Sequence, residues 1–300
     1  MRIVRYMKES KISVGIVNSW NESELVVVDI TDRLPVECRA YPEAFLNEIR
    51  LVAGSHQLGN ETIRLRFEDL LSPLGQPKKL LCAAMNYHEH IAEIGVAEFR
   101  KSGIVPKLFL KPSSSLLAPV GELVLPAVSD AVDWELELAV IMLGGGRNIP
   151  VESALNFVGG YTVFNDISAR SMHWGMRERA DSHWSEFFDW LMGKWPDGFA
   201  PCGPWIVTAD EISDPQNLRL ELALNGVIRQ DSSTRAMIFS VSELVSFASS
   251  FMSLEPGDVI ATGTPSGVGA ATNTYLRSGD IVTGTIEGIG TIRTKVSDSL

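Results

Sequence analysis

The sequence predicts a mixed β (α+β) fold, with a small α+β domain over residues 1–75 and a larger, mostly β catalytic domain over residues 76–300. Three observations carry this. Turn formers are plentiful, 25 glycines and 15 prolines among 300 residues, which suits many short elements rather than a few long ones. From Lys79 onward, apolar runs of roughly five to eight residues recur between turn signals, the pattern of curled or barrel-like sheets. Helical periodicity, with apolar residues three and four apart, is confined to a few segments.

In chain order, ISVGIV from Ile12, ELVVVDI from Glu24 and TIRLRF from Thr62 alternate like short strands, and AFLNEIRLVAG between the last two reads as a helix. The polar, Pro- and Gly-containing SPLGQPKK from Ser72 marks the boundary. KLLCAAMNY then reads as a buried strand running into a polar segment. Further strands are expected in KLFLKP, GELVLP, WELELAVIML, GGYTVFND, GPWIVT, LRLELALNG, DVIATGTPSG and DIVTGTIEGIG. Two helices are expected in this domain. SVSELVSFASSFMSL has Ser240 as N-cap, Glu243 three residues on, and a stop before PGD. VESALNFVGG from Val151 is shorter and ends at glycine, as a helix C-terminus often does.

Composition narrows the function. Lys+Arg 26 against Asp+Glu 37 gives a formal net charge of -11, which repels phosphate backbones and anionic lipid headgroups and argues against nucleic acid as a partner. A small anionic substrate stays compatible, because one bound cation or a local Lys/Arg pair dominates the field inside a pocket. Cys38, Cys82 and Cys202 are odd in number and form no CxxC pair, so they indicate neither a disulfide framework nor a thiolate metal site and fit a reducing cytosol. MRIVRYMKESK lacks the apolar core of a signal peptide, and no run approaches the roughly 18 apolar residues of a membrane span. The expectation is a soluble, cytoplasmic chain with no membrane partner.

In DWELELAVIML, period-2 alternation puts Glu135 and Glu137 on one face of a strand and Trp134, Leu136 and Leu138 on the other. The apolar AVIML argues for a central strand, where two like charges are costly without a cation. A solvent-facing edge pair, or a pair matched by Arg, is the plainer alternative. GYTVFND delivers a third acid, Asp166, at its end. Three carboxylates without clustered His or Cys make a hard oxygen site that suits Mg²⁺ or Mn²⁺ and leaves positions for water or substrate. Taken alone, Asp166 equally suits the cap of a helix beginning at Ser168.

In NYHEHIAEIG, His90 and Glu93 are spaced i,i+3 and share a face of a helical turn. That is the outline of a general base oriented by a carboxylate. His88 competes for the role, and a polar surface helix is the plain alternative. Lys194 offers a cation to a developing anion. The glycine-rich turn around Thr264 lets backbone N–H groups and the hydroxyl approach a substrate carboxylate, although it lacks the spacing of a P-loop or dinucleotide turn.

Taken in order, NYxxH, KPSSSL, DxExELAV, GYTxFNDxSAR, GKxxDGFAPxGPW, NGxxRQ and LEPGDVIATGTPSGVG closely resemble the fumarylacetoacetate hydrolase family, over roughly Lys79 to Thr294. The resemblance implies a β-sandwich roll as catalytic core, a variable N-terminal domain, a homodimer, and Mg²⁺ or Mn²⁺ held by Glu135, Glu137 and Asp166. It implies a water-activating dyad of His90 and Glu93 on a lid helix, an active-site lysine at Lys194, and a substrate-carboxylate contact at Thr264. Arg170, in NDISAR, joins the substrate-binding set.

Two departures stand out. After NDISAR the family continues with Asp and, two positions later, Gln; this chain has Ser171 and His173. His173 therefore falls where the family places a substrate-facing side chain. The stretch from Arg170 to Lys194 is longer than in compact members and carries Trp174, Trp184 and Trp190, with Trp195 just beyond, four of the 7 tryptophans. They suit the packing of a longer loop, a dimer contact, or the cover of an apolar substrate.

The activity this implies is hydrolysis of a C–C bond in a small 2,4-diketo acid of the acylpyruvate or fumarylpyruvate kind, with a cation stabilising the enolate and His90 and Glu93 activating water. Decarboxylation of an oxaloacetate-like acid, or isomerisation of a hydroxymuconate-type diene such as 2-hydroxyhepta-2,4-diene-1,7-dioate, uses the same electrophilic site. A non-catalytic binding protein is the remote alternative.

Overall fold

The computed structural model describes residues 1–55, 62–93, 101–176 and 183–298. The mixed β expectation holds. A twelve-stranded sheet runs, from one edge, through Thr62–Arg66, Glu24–Asp29, Lys11–Trp20, Arg2–Lys8, Ala200–Thr208, Val158–Asn165, Leu136–Met142, Val259–Ala261, Leu80–Ala84 and Lys107–Leu110, with two short strands off this path. A five-stranded sheet holds Val227–Ser233, Arg219–Leu224, Ile281–Ile286, Gly290–Ser297 and Val120–Val124. The first strand, unread in the sequence, pairs antiparallel with Ala200–Thr208, placing Ile3 opposite Ile206. The N-terminal strands thereby continue the sheet that holds Leu136–Met142.

Leu136–Met142 is buried along its whole length, as its unbroken apolar run requires of a strand covered on both faces. Its side chains alternate. Leu136, Leu138, Val140 and Met142 pack into one core cluster, with Trp134, Val163 and Leu220. Ala139 and Ile141 pack into a second, with Cys82, Phe164 and Ile206. Glu137 shares the face of Ala139 and Ile141, so the apolar strand ends in a carboxylate.

Four local expectations need correction. WELELAVIML is not one strand: Val132–Asp133 pairs with Ser168–Ala169, and the long strand begins at Leu136. The break arises because Glu135 donates its backbone N–H to the Asn165 side chain, 2.8 Å away, instead of to a ladder carbonyl. VESALNFVGG forms a 3₁₀ helix, Val151–Phe157, and its glycines lie inside the strand Val158–Asn165 rather than at a helix cap. A Cβ on Gly160 would stand 2.5 Å from Val207 O, so glycine is there for close strand approach. Ser168 starts a short strand, not a helix, which removes the capping alternative for Asp166. The tryptophan-rich stretch, read as loop, contains the helix His183–Met192.

The helix Val241–Phe251 has the expected capping box, with Glu243 N–H donating to Ser240 Oγ and Ser240 N–H donating to Glu243 Oε2. AFLNEIRLVAG folds as a 3₁₀ turn, Pro42–Phe45, leading into the helix Leu46–Gly54. Among the described residues no helix is long and apolar enough to cross a membrane.

Candidate metal centre

Strand register explains how distant acids meet. Leu136 stands opposite Asn165 in the antiparallel pair, so one step outward sets Glu135 beside Asp166, whose N–H donates to Glu135 O at 2.8 Å. On the other side, Val259–Ala261 pairs with Ala139–Ile141. Its continuation brings the Gly263 N–H to Glu137 Oε2 at 2.8 Å. Ligand atoms of Glu135, Glu137 and Asp166 lie within 4.8 Å of one another, and all three residues are buried.

Three cations close around the acids. Lys194 Nζ donates to Glu135 Oε2 at 2.8 Å and Asp166 Oδ2 at 2.7 Å. Lys111 Nζ donates to Asp166 Oδ1 at 2.7 Å and to Ile167 O at 3.1 Å. Arg170 reaches Glu135 Oε1 at 2.7 Å and Asp133 Oδ2 at 2.8 Å. Lys194 is delivered by the end of the helix His183–Met192. The Ala169 N–H donates to Gly193 O, and a Cβ on Gly193 would collide with Ala169 O, so glycine lets the chain pass close enough to bury Lys194.

Asp133 was not singled out in the sequence. Its buried carboxylate accepts the N–H groups of Trp134, Gly269 and Ala270 as well as Arg170. It therefore ties the glycine-rich segment to the guanidinium.

The electrostatics single out Glu137. Burial disfavours ionisation of Glu135, but Lys194 and then Arg170 outweigh it and hold its pKa far below the ordinary carboxylate value. Burial likewise opposes the charge on Lys194, yet Asp166 and Glu135 more than offset it and raise its pKa. For Glu137, burial and the negative Asp166 and Glu135 act together and push its pKa well above the ordinary value, with Lys194 and the Gly263 N–H offsetting only part. Among the described residues Glu137 forms no ion pair. Four buried carboxylates, counting Asp133, thus face three cations, and the uncompensated one belongs to the triad. A hard divalent cation fits this donor set of carboxylate oxygens.

The remaining site residues are placed unevenly. His90 is buried on the short helix His88–Glu93, while His88 is exposed. His90 Nδ1 lies 3.3 Å from Glu93 Oε2, and Glu93 Oε1 accepts the Gly267 N–H at 2.9 Å. A carboxylate can only accept, so this pairing puts the proton on Nδ1 and leaves the Nε2 lone pair for other work. Thr264 donates its hydroxyl proton to Leu136 O at 3.0 Å and accepts from Gln230 Nε2 at 2.8 Å. Its hydroxyl would have to release Leu136 O to donate to a carboxylate. Gln230 also accepts the Leu136 N–H, so it fixes the start of the acid-bearing strand.

A cavity of about 1040 Å³ is lined by His90, Glu135, Arg170, Lys194 and Thr264 among other residues. Glu137 and Asp166 are not among its lining residues, though their carboxylates lie within 4.8 Å of that of Glu135, which is. His173 does not line it: 40% exposed at its side chain, it lies 3.8 Å from Asp130 and accepts the Gly175 N–H. Of the tryptophans, Trp190 and Trp195 line the cavity and Trp174 does not, donating instead to Asp189. The side chain of Trp184 falls outside the described residues.

Comparison with known proteins gives the family. Residues 79–297 match the C-terminal domain of fumarylacetoacetate (FAA) hydrolase. Over 302 aligned residues the chain is 34% identical to a mitochondrial oxaloacetate tautomerase of Xenopus laevis, covering 99% of this chain and 90% of that protein. Maleylpyruvate hydrolase from Sphingobium sp. SYK-6 superposes over the full length of both chains with a TM-score of 0.78 at 28% identity. The same enzyme is also solved in complex with manganese(II) and pyruvate, where the TM-score is 0.76 at 27% identity over both full chains. A 2-hydroxyhepta-2,4-diene-1,7-dioate isomerase from Mycobacterium marinum gives 0.75 at 28%, over 100% of this chain and 99% of that one. Tautomerase, hydrolase and isomerase all act on small organic acids. The fold, the buried acid triad and the match over most of its length agree: the chain belongs to the fumarylacetoacetate hydrolase family of enzymes.

Proposed function

We propose that this chain catalyses enolisation of a small 2-oxo acid of the oxaloacetate class, moving a proton on and off the carbon beside the keto group. The observation that carries this reading is the meeting of one oriented base, His90, with Lys194, Arg170 and Glu135 of the acid triad around a single cavity. Enolisation requires a base at carbon and positive charge at the keto oxygen, and nothing more. Mg²⁺ or Mn²⁺ held by Glu135, Glu137 and Asp166 would supply a Lewis acid that polarises the keto group.

His90 takes the carbon-bound proton on Nε2, and Glu93 stabilises the imidazolium through Nδ1. Lys194 and Arg170 are fixed cations beside the oxygen on which negative charge develops, and burial strengthens their effect. The proton then returns to oxygen or carbon from His90. The kinship with a tautomerase along nearly the whole chain supports this over its neighbour chemistry.

Hydrolysis of an acylpyruvate-like diketo acid is the second reading, favoured by the same pair, since His90 oriented by Glu93 is also suited to deprotonate water. Isomerisation of a hydroxymuconate-like diene, or decarboxylation, would begin from the same polarised keto acid.

A substrate panel tests the choice. Purified protein with Mn²⁺ is mixed with enol oxaloacetate and with acylpyruvates, following enol absorbance and carbon dioxide release. Faster enol–keto interconversion is expected, reduced by roughly 10²–10⁴ in His90→Asn. Cleavage of acylpyruvates without any faster interconversion of oxaloacetate would give the site to hydrolysis instead.

A further inference from the structure

The cavity is larger and more apolar than a four-carbon dicarboxylate needs. About 1040 Å³ reaches the upper end of the roughly 300–1,000 Å³ that holds drug-sized ligands. An aromatic path leads outward from the buried cations. Lys194 Nζ lies 5.1 Å from the centre of the Phe109 ring, Phe109 packs edge-on against Trp190 at 5.1 Å, and Trp190 meets Phe187 at 6.1 Å. A second aromatic pair, Phe247 and Phe251 at 5.3 Å, lines the same cavity. Phe187 and Phe251 are about half exposed, at 51% and 49%. Large half-exposed aromatics gathered around one opening mark a surface that takes an apolar partner.

Resting on the enolisation reading above, we infer that the 2-oxo acid handled here carries an apolar substituent of several carbons, seated along the wall of Phe109, Trp190, Phe187, Phe247 and Phe251. The substrate's carboxylate and keto oxygen face Lys194 and Arg170, and Phe109 begins the apolar surface directly beside Lys194. A chain extending from the far side of the keto acid therefore leaves charged surroundings for aromatic ones without crossing water. Phe187 and Phe251 act as specificity-determining residues, because their rings form the open part of the wall.

The test is a series of 2,4-dioxo acids whose 4-substituent grows from methyl to hexyl, with a phenyl member, assayed with the Mn²⁺-loaded full chain for enol–keto interconversion. Binding is followed in parallel through tryptophan fluorescence, which Trp190 and Trp195 in the cavity wall should report. Each added methylene is expected to raise kcat/KM and affinity about fourfold until the wall is filled. Phe187→Ala and Phe251→Ala, chosen because their half-exposed rings leave folding intact, should lower that slope. A series flat in both rate and binding, with oxaloacetate still interconverted, overturns the apolar substituent and leaves the enolisation reading standing. If neither oxaloacetate nor any member is turned over, the enolisation reading fails; whenever no member is turned over, the fluorescence series decides the wall alone: affinity rising with chain length supports it and constant affinity overturns it.

Discussion

Glu137→Gln is expected to make the metal-free chain more stable and its divalent-metal binding far weaker, two effects of opposite sign from one substitution. Glutamine keeps an acceptor for the Gly263 N–H and removes a buried negative charge that, among the described residues, no side chain pairs. An uncompensated buried charge costs roughly 3–5 kcal/mol, which sets the upper limit of the gain. Loss of a direct ligand should weaken Mn²⁺ binding by at least about 100-fold, since even outer-shell partners cost about 10–100-fold.

The pH dependence follows from the same shift. The folded chain holds the Glu137 proton more tightly than the unfolded chain, because burial and then Asp166 and Glu135 raise its pKa. The stability contributed by protonated Glu137 is complete below the unfolded value of about 4.3 and is lost as pH rises through the folded one. Urea unfolding of wild type and Glu137→Gln, in chelator across pH 4–9, should show a steeper decline in wild type than in the variant, which keeps only the contribution of other buried acids such as Glu43, pushed up to about 7 by burial. A metal-free variant less stable than wild type at neutral pH would mean that Glu137 is paired in the folded chain.

Lys194→Met is expected to fail in the other direction. Lys194 is shared by Glu135 and Asp166 at 2.8 and 2.7 Å, so its removal leaves both buried acids with one cation fewer. Breaking a buried pair in this way costs roughly 3–5 kcal/mol. Methionine fills much the same space, so the loss is electrostatic rather than a cavity. Turnover should fall by roughly 10²–10³, the cost of deleting one preorganised donor at a developing oxyanion. Saturating Mn²⁺ should recover part of the stability but not the turnover, a split visible when chemical unfolding and steady-state rates are measured on the same sample. Unchanged stability in chelator would contradict the ion-pair geometry.

The pairing of Glu135 and Glu137 was legible because strand alternation is a local rule, whereas their union with Asp166 as one site rested on the resemblance along the whole chain. Glu135 and Glu137 had to share a face, and the apolar AVIML after them had to be central. The helix Val241–Phe251 was legible for the same reason, its cap and periodicity lying within a few residues of each other. What stayed hidden depends on contacts between distant segments. Lys111 sits in the KPSSSL motif, yet nothing local distinguishes a buried lysine at a strand end from a solvated one; its partner is 55 residues away. Asp133, Asn165 and Gln230 hold the strand ends and the glycine-rich segment through hydrogen bonds to backbone groups, which side-chain patterning does not register.

The N-terminal strand Arg2–Lys8 was missed although its main partner, Lys11–Trp20, follows it directly and Ala200–Thr208 flanks its other side; its adjacent apolar pairs Ile3–Val4 and Tyr6–Met7 break the period-2 alternation of a strand. Glycine misled the reading at Val151: GlyGly resembled a helix stop, whereas Gly160 serves the close approach of Val207. Thr264 shows the same limit in the site itself. Its place in a glycine-rich turn was visible, but the engagement of its hydroxyl with Leu136 O and Gln230 follows from tertiary packing.

The most direct measurement is anomalous diffraction from crystals grown with Mn²⁺. A single strong peak among the carboxylate oxygens of Glu135, Glu137 and Asp166 is the expected result, with Lys194 close by and His90 facing the same cavity. A well-occupied peak elsewhere in the chain, or none at the triad at saturating Mn²⁺, would contradict the assignment of these three acids as the metal centre.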